Sequence, residues 1–336
     1  MSASKIGVVG AGAWGTALAQ TMARAGHEVT LWAHETETVS AINTHHENKT
    51  FLAGVPLETS ICATTDYNDL KDSAAVLLVP PAQHMRAIAA NLNEIINHRV
   101  DMVICAKGIE RETGALMVDV VRDVLPDHTP LVLSGPSFAA DVARGRPAAL
   151  TLACADDIRG RTCARNLGYR DFRLYWTDDL VGVQLGGAVK NVLAIAAGIV
   201  AGKSLGASAH AALVTRGFAE LQRLGVALGA RPETLMGLSG LGDLILTCGS
   251  TQSRNMSLGR ALGEGKTLQD ILGARASVTE GVFTTDAVVA IADQRGVEMP
   301  IARAVQAILN GKLVVDDAID GLLSRPMKPE LAVASD

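Results

Sequence analysis

Aromatic side chains are scarce in this 336-residue chain, with three Trp, three Tyr and five Phe. That is too few for a platform on which nucleic-acid bases stack. Positive charge is not in excess either. Thirty Lys and Arg stand against 35 Asp and Glu, giving a formal net charge of −5. Such a balance argues against a general binder of nucleic acid or of a membrane surface. An anionic ligand must therefore be met by a local basic cluster. The five cysteines (Cys62, Cys105, Cys154, Cys163 and Cys248) are odd in number and hold no Cys-x-x-Cys pair. They read as thiols of a reducing compartment, with neither a disulfide frame nor a bound metal. The longest apolar stretch, Val192–Gly202, is well short of the roughly 20 residues that span a bilayer. The first residues run straight into strand-like Ile6–Val9, with no signal-peptide pattern. A cytoplasmic chain without membrane insertion is expected.

What is present is apolar: 48% of the residues are hydrophobic and only 19% charged. At roughly 100–200 residues per domain, two domains are expected. The first half alternates β-branched runs with amphipathic helical patterns. Strands are predicted at Lys5–Gly10, Glu28–Ala33, Ala74–Val79, Val100–Ala106, Pro130–Ser134, Ala148–Ala153 and Phe172–Thr177. Helices are predicted between them at Trp14–Ala25, Gln83–Leu92 and Thr113–Leu125. Strands alternating with helices imply an α/β fold with a doubly wound, mostly parallel sheet. After Asp179 the pattern turns Ala/Leu/Gly-rich and helical. Helices are predicted at Val181–Ala201, Ala207–Leu228, Arg231–Met236, Thr267–Leu272, Thr284–Arg295 and Ile301–Leu309. The predicted organisation is a dinucleotide-binding domain over 1–179, an all-helical substrate domain over 180–325, and a frayed tail over 326–336.

Gly10-Ala11-Gly12-Ala13-Trp14-Gly15 is a G-x-G-x-x-G pattern, weak alone but here placed after a strand and at the start of a helix. Gly10 suits the tight turn, Gly12 a close approach of pyrophosphate, and Gly15 helix-on-strand packing. Phosphates would then meet the free N–H groups of the first helical turn. The second strand ends Trp32-Ala33-His34-Glu35, so no carboxylate holds the usual ribose-binding position. His34 can donate to a 2′-phosphate, which favours NADP(H), while Glu35 keeps NAD(H) open.

Lys107 and the Ser134–Ala139 loop lie at the carboxyl ends of predicted parallel strands, where open α/β sheets bind ligands. Lys190 interrupts an otherwise apolar helix, and a buried lysine needs a counter-charge or a ligand. Gly186 and Gly187, one turn earlier on the same face, would clear room for a substrate. They cost about 1 kcal/mol each relative to alanine, so they need a reason. Asp243 could hold such a lysine, with an N-cap as its plainer role. Arg254 and Asn255, after a hydroxyl-rich loop, offer donors suited to a phosphate.

GAGAWGTALA, the Ala106-Lys107-Gly108 strand end, SGPSFA, VQLGGAVKNVLAIAAG, GLGDLILTC and QSRN occur here together and in order. This combination resembles the bacterial NAD(P)-dependent glycerol-3-phosphate dehydrogenase family over roughly Lys5 to Leu313. The resemblance implies reversible hydride transfer between NAD(P)H and dihydroxyacetone phosphate, giving sn-glycerol 3-phosphate for phospholipid synthesis. It implies catalytic roles for Lys190, Lys107 and Asp243. On the substrate side it implies Lys107, Gly135, Ser137, Lys190, Asn191, Asp243, Ser253, Arg254 and Asn255. On the cofactor side, Gly10, Gly12 and Gly15 are joined by Ala13, Trp14, His34, Lys107, Ala139, Arg254, Val278 and Glu280. Ala13-Trp14 stands where some members carry Ser-Tyr, a change of little consequence where backbone N–H groups serve.

Two other readings compete. A β-hydroxyacid dehydrogenase resembles G-x-x-x-K-x-x-N on its catalytic helix; Gly186 and Lys190 fit, but the last position is Leu193 and Asn191 directly follows the lysine. A non-catalytic NADP-sensing module would need neither Lys190 nor Asp243. The expected partner is a small phosphorylated substrate, with no nucleic acid, and a homodimer is left open.

Overall fold

Short β-branched runs and the glycines that punctuate them set the first half of the chain. The computed structural model describes residues 3–97, 99–273, 279–327 and 329. Eight strands form one sheet: β1 (Lys5–Val9), β2 (Glu28–Trp32), β3 (Ile61–Thr64), β4 (Ala75–Leu78), β5 (Asp101–Ile104), β6 (Pro130–Ser134), β7 (Ala148–Ala153) and β8 (Phe172–Thr177). Their order is β3-β2-β1-β4-β5-β6-β7-β8. All neighbours are parallel except β6 and β7. The strand order reverses beside β1, which opens a crevice at the carboxyl ends of β1 and β4.

Successive residues of the central strands point to opposite faces, and both faces are covered. Val8, Leu31, Leu77, Val103 and Leu131 enter one apolar core, while Val9, Trp32, Leu78, Ile104 and Val132 enter the other. This is why these strands read as continuous apolar runs rather than as alternating ones.

From Leu180 the chain is helical. The helix Leu180–Gly202 has 23 residues, nearly all buried, and is the spine of a third core. Read as a helix rather than as its longest apolar run, it is long and apolar enough to cross a membrane, contrary to the sequence expectation. However, 89% of its most apolar 18-residue window is buried within the protein. It is a core helix. Against it lies Arg254–Gly263, packed backbone on backbone: a Cβ on Gly198 would fall 2.1 Å from the Met256 carbonyl oxygen, and one on Gly259 would fall 1.9 Å from that of Ile195.

The predicted ends of β6, β7 and β8 agree with those observed. Other elements differ. The short β3 and the helices Thr36–His45, Asp157–Leu167, Arg254–Gly263 and Val315–Leu323 were not expected. The helix expected from Thr113 begins at Met117, because Thr113 donates to the Glu110 carboxylate and Ile109 bridges Leu116. The helix expected from Thr284 begins at Glu280. Of the expected tail, only Pro326, Met327 and Pro329 are among the described residues.

Candidate active site

The glycine-rich turn connects β1 to the helix Ala13–Arg24. Gly10 has φ +110°, and a Cβ there would lie 2.9 Å from the Val79 carbonyl oxygen. A Cβ on Gly15 would lie 1.8 Å from the oxygen of Gly10. Those two glycines are required by the protein itself. Gly12 is not: a Cβ there would meet nothing within 4 Å. Gly12 caps the helix with no side-chain hydrogen bond to the first turn, and the indole nitrogen of Trp14 is buried without a partner. Open space beside Gly12 and uncapped helical N–H groups are what a pyrophosphate needs. Asn48, which the sequence reading missed, fixes the turn by donating to the Ala11 carbonyl and to Thr16 Oγ1, each at 2.8 Å.

His34 is exposed just past β2, with its ring centroid 6.3 Å from that of Trp32. Ala139 opens the short helix Ala139–Ala143 that follows the Ser134–Phe138 loop. Val278 lies outside the described residues. Glu280 is in the first turn of its helix, with Oε1 accepting the Ala82 N–H at 3.2 Å and Oε2 buried without a partner. Burial pushes its carboxyl pKa up, opposed by that hydrogen bond and by the charge of Arg254.

Three charged groups meet at the carboxyl edge of the sheet. Lys107, past the end of β5, donates to the Gly135 carbonyl at 3.0 Å and to Asp243 Oδ2 at 2.8 Å. The Ser137 hydroxyl donates to the same carbonyl at 3.0 Å. Lys190, only 7% exposed, donates to Asp243 Oδ1 at 2.5 Å and to Thr247 Oγ1 at 3.0 Å. Asp243 itself is 0% exposed. Burial pulls the Lys190 ammonium down to about 8, helped by the like charge of Lys107 and opposed by Asp243. Thr247 gave no signal in the sequence beyond its place one turn after Asp243.

Asp243 does not cap its helix. It is the first residue of Asp243–Cys248, directly after a π-helical turn, Leu238–Gly242, with Gly242 at the cap. Nor do the two glycines before Lys190 leave room for a substrate, as their spacing suggested. Protein fills both places: the Ser239–Gly240 backbone lies against Gly186, and Ser134 and the Lys107 stem lie against Gly187.

Arg254 and Asn255, expected just after a hydroxyl-rich loop, open a helix, and Ser253 caps it by accepting the Met256 N–H at 3.2 Å. The Asn255 amide donates to Asn191 Oδ1 at 2.9 Å and accepts the Gly281 N–H at 3.0 Å. The Asn191 amide reaches back to the Gly187 carbonyl at 3.4 Å. Residues from three helices thus adjoin one another, and Lys190, on the first of them, holds Asp243 from a fourth. Among the described residues, no group of three or more His, Cys, Asp or Glu side chains could hold a metal ion.

The chain matches two family profiles, described as the NAD-dependent glycerol-3-phosphate dehydrogenase N-terminus over residues 5–159 and C-terminus over residues 179–320. A glycerol-3-phosphate dehydrogenase [NAD(P)+] of Parvibaculum lavamentivorans is 58% identical over 326 residues, covering 97% of this chain and 98% of that one. The chain belongs to the NAD-dependent glycerol-3-phosphate dehydrogenase family. A namesake from Caulobacter vibrioides is 57% identical over 98% of this chain and the whole of the other. The crystal structure of a Coxiella burnetii glycerol-3-phosphate dehydrogenase superposes with a TM-score of 0.92 at 37% identity, covering 96% of this chain and 99% of that one. The fold of that dehydrogenase thus matches this chain over nearly its whole length.

Proposed function

We propose that this chain reduces dihydroxyacetone phosphate to sn-glycerol 3-phosphate, and catalyses the reverse reaction, as an NAD(P)-dependent oxidoreductase. Bound NAD(P)H supplies the hydride, and the protein manages charge and proton. As the ketone carbon is reduced, negative charge develops on its oxygen. The Lys190 ammonium stabilises that charge and donates the proton. A buried ammonium whose pKa is drawn to about 8 is a better acid near neutrality than an ordinary lysine. Asp243 holds Lys190 in place and Lys107 sits on the other carboxylate oxygen. Ser253, Arg254 and Asn255 bind the substrate phosphate, joined on the substrate side by Gly135, Ser137 and Asn191. The phosphate takes no part in the chemistry; its binding energy positions the ketone.

On the cofactor side, Gly10, Gly12 and Gly15 with the N–H groups of Ala13 and Trp14 receive the pyrophosphate. His34 favours NADP(H) by offering a donor where a carboxylate would repel a 2′-phosphate. Ala139, Lys107, Arg254, Val278 and Glu280 complete the cofactor contacts. Residues 1–179 form the cofactor domain and 180–325 the substrate domain, in a cytoplasmic enzyme that supplies glycerophospholipid synthesis.

Lys190 carries the reading: a charged side chain on an apolar core helix, paired with a carboxylate at the sheet edge. Nicotinamide absorbance in the presence of dihydroxyacetone phosphate, set against a panel of hydroxyacids and ketoacids, tests it. Turnover with the phosphorylated ketone alone is expected. Turnover confined to hydroxyacids would sink the substrate assignment, and no turnover with any would sink the enzyme.

A further inference from the structure

The two groups that act on the Lys190 ammonium both reach it past the glycines one turn earlier on its helix. A Cβ on Gly186 would lie 2.3 Å from the Ser239 carbonyl oxygen and 2.9 Å from Gly240 Cα. These are backbone atoms of the π-helical turn that delivers Asp243. That turn has no slack on its other side, since a Cβ on Gly240 would lie 1.9 Å from the Leu235 carbonyl oxygen. A Cβ on Gly187 would lie 2.7 Å from Ser134 Oγ and 3.3 Å from Cγ of Lys107. The second glycine therefore admits the stem of the neighbouring lysine.

We propose that Gly186 and Gly187 are positioning residues that set two separations independently: Gly186 that of Lys190 from Asp243, Gly187 that of Lys190 from Lys107. The two separations act in opposite directions. Asp243 favours the charged form of Lys190, and Lys107 disfavours it. Backing Asp243 away makes Lys190 a stronger acid; backing Lys107 away makes it a weaker one. The other groups against the ammonium do not titrate in the relevant range. Thr247 is a neutral hydroxyl, and burial pushes the Cys248 thiol up to about 12. The inference rests on Lys190 as the proton donor of the proposed reaction.

The test compares the alkaline limb of kcat/KM for dihydroxyacetone phosphate reduction, at saturating cofactor, in Gly186→Ala and Gly187→Ala. Only the protonated lysine can donate, so activity falls as pH rises through its pKa. In Gly186→Ala the limb should move to lower pH, and in Gly187→Ala to higher pH, each by at least about half a unit. Gly198→Ala is the control, because its Cβ would lie 2.1 Å from the Met256 carbonyl oxygen on the same helix but away from both partners. It should lower Tm and leave the limb in place. Shifts of the same sign in the two variants, no shift in either, or an equal shift in the control would overturn the proposal. Should Gly186→Ala fail to fold, Gly187→Ala decides alone, since a hydroxyl and a flexible stem can give way; no alkaline shift there overturns it. Lys190→Ala separates the two levels. If it keeps its turnover, the function proposed above fails and this inference with it. If it is inactive while the limbs coincide, only the glycine proposal fails.

Discussion

Lys107 and Lys190, two ammonium groups that repel one another, are tied to opposite oxygens of a single carboxylate with no exposure to solvent. Removing one partner of a buried ion pair typically costs about 3–5 kcal/mol, because the remaining charge is left uncompensated. Here the loss of Asp243 would strand two charges at once.

Asp243→Asn should therefore lower Tm and draw the Lys190 ammonium still further below about 8. With less of the protonated donor at neutral pH, kcat/KM should fall more than about tenfold at pH 7.5 and recover in part at pH 6. Lys190→Ala should lose about 10²–10⁴ in kcat and show no such recovery. A wild-type alkaline limb in the Asn variant, read from a pH–rate profile, would contradict the pairing argument.

Arg254 should anchor the substrate phosphate. Charge-assisted hydrogen bonds contribute about 1.5–3 kcal/mol, so Arg254→Ala should lower kcat/KM for dihydroxyacetone phosphate by roughly 10–100-fold. Unphosphorylated dihydroxyacetone should suffer far less, and Arg254→Lys should recover only part of the loss. Because its charge also acts on Glu280, NADPH affinity is measured separately and its change removed. Equal proportional losses on the two substrates would refute the assignment.

His34 is the place to read cofactor choice. The wild type should show a lower KM for NADPH than for NADH, and His34→Asp should narrow or reverse the difference. Preference for NADH in the wild type would end this reading without touching the reaction.

Glu220 predicts a pH dependence of stability unrelated to catalysis. Its carboxylate is 1% exposed and accepts the Ile301 and Ala302 N–H groups at 2.7 and 3.2 Å. Burial nevertheless pushes its pKa from 4.5 up to about 7. Between those values the unfolded chain releases a proton that the folded one keeps, so stability falls as pH rises through the window. The loss is complete above pH 7 and amounts to roughly 3 kcal/mol at most. Glu220→Gln removes the titration, so the difference in Tm between wild type and variant should change with pH between about 5 and 7. Parallel Tm curves would show that Glu220 does not titrate there.

The parts that the sequence disclosed are those where one residue type is costly unless it has a purpose. Lys190 stood out because a charge in an apolar helix demands a partner, and Pro130–Ser134 and Phe172–Thr177 because their turns bound them tightly. β3 escaped because four residues, with Cys62 exposed at a sheet edge, carry almost no period. The helix Asp157–Leu167 escaped because Arg159, Arg161 and Arg165 dilute its apolar stripe. Asn48 and Thr247 were invisible for another reason. Each works through a hydrogen bond to a residue more than thirty positions away, and such a partner has no local signature.

The helix that carries Arg254 and Asn255 lies against the helix that carries Lys190 with glycine at Gly198, Gly202, Gly259 and Gly263, and at those points no side chain stands between the two backbones. Side chains can adjust by changing rotamer; main chain in contact with main chain cannot. On the proposed function, the spacing of the two helices on which proton donor and phosphate grip stand is therefore set by backbone. Changing that spacing would mean parting the two helices themselves.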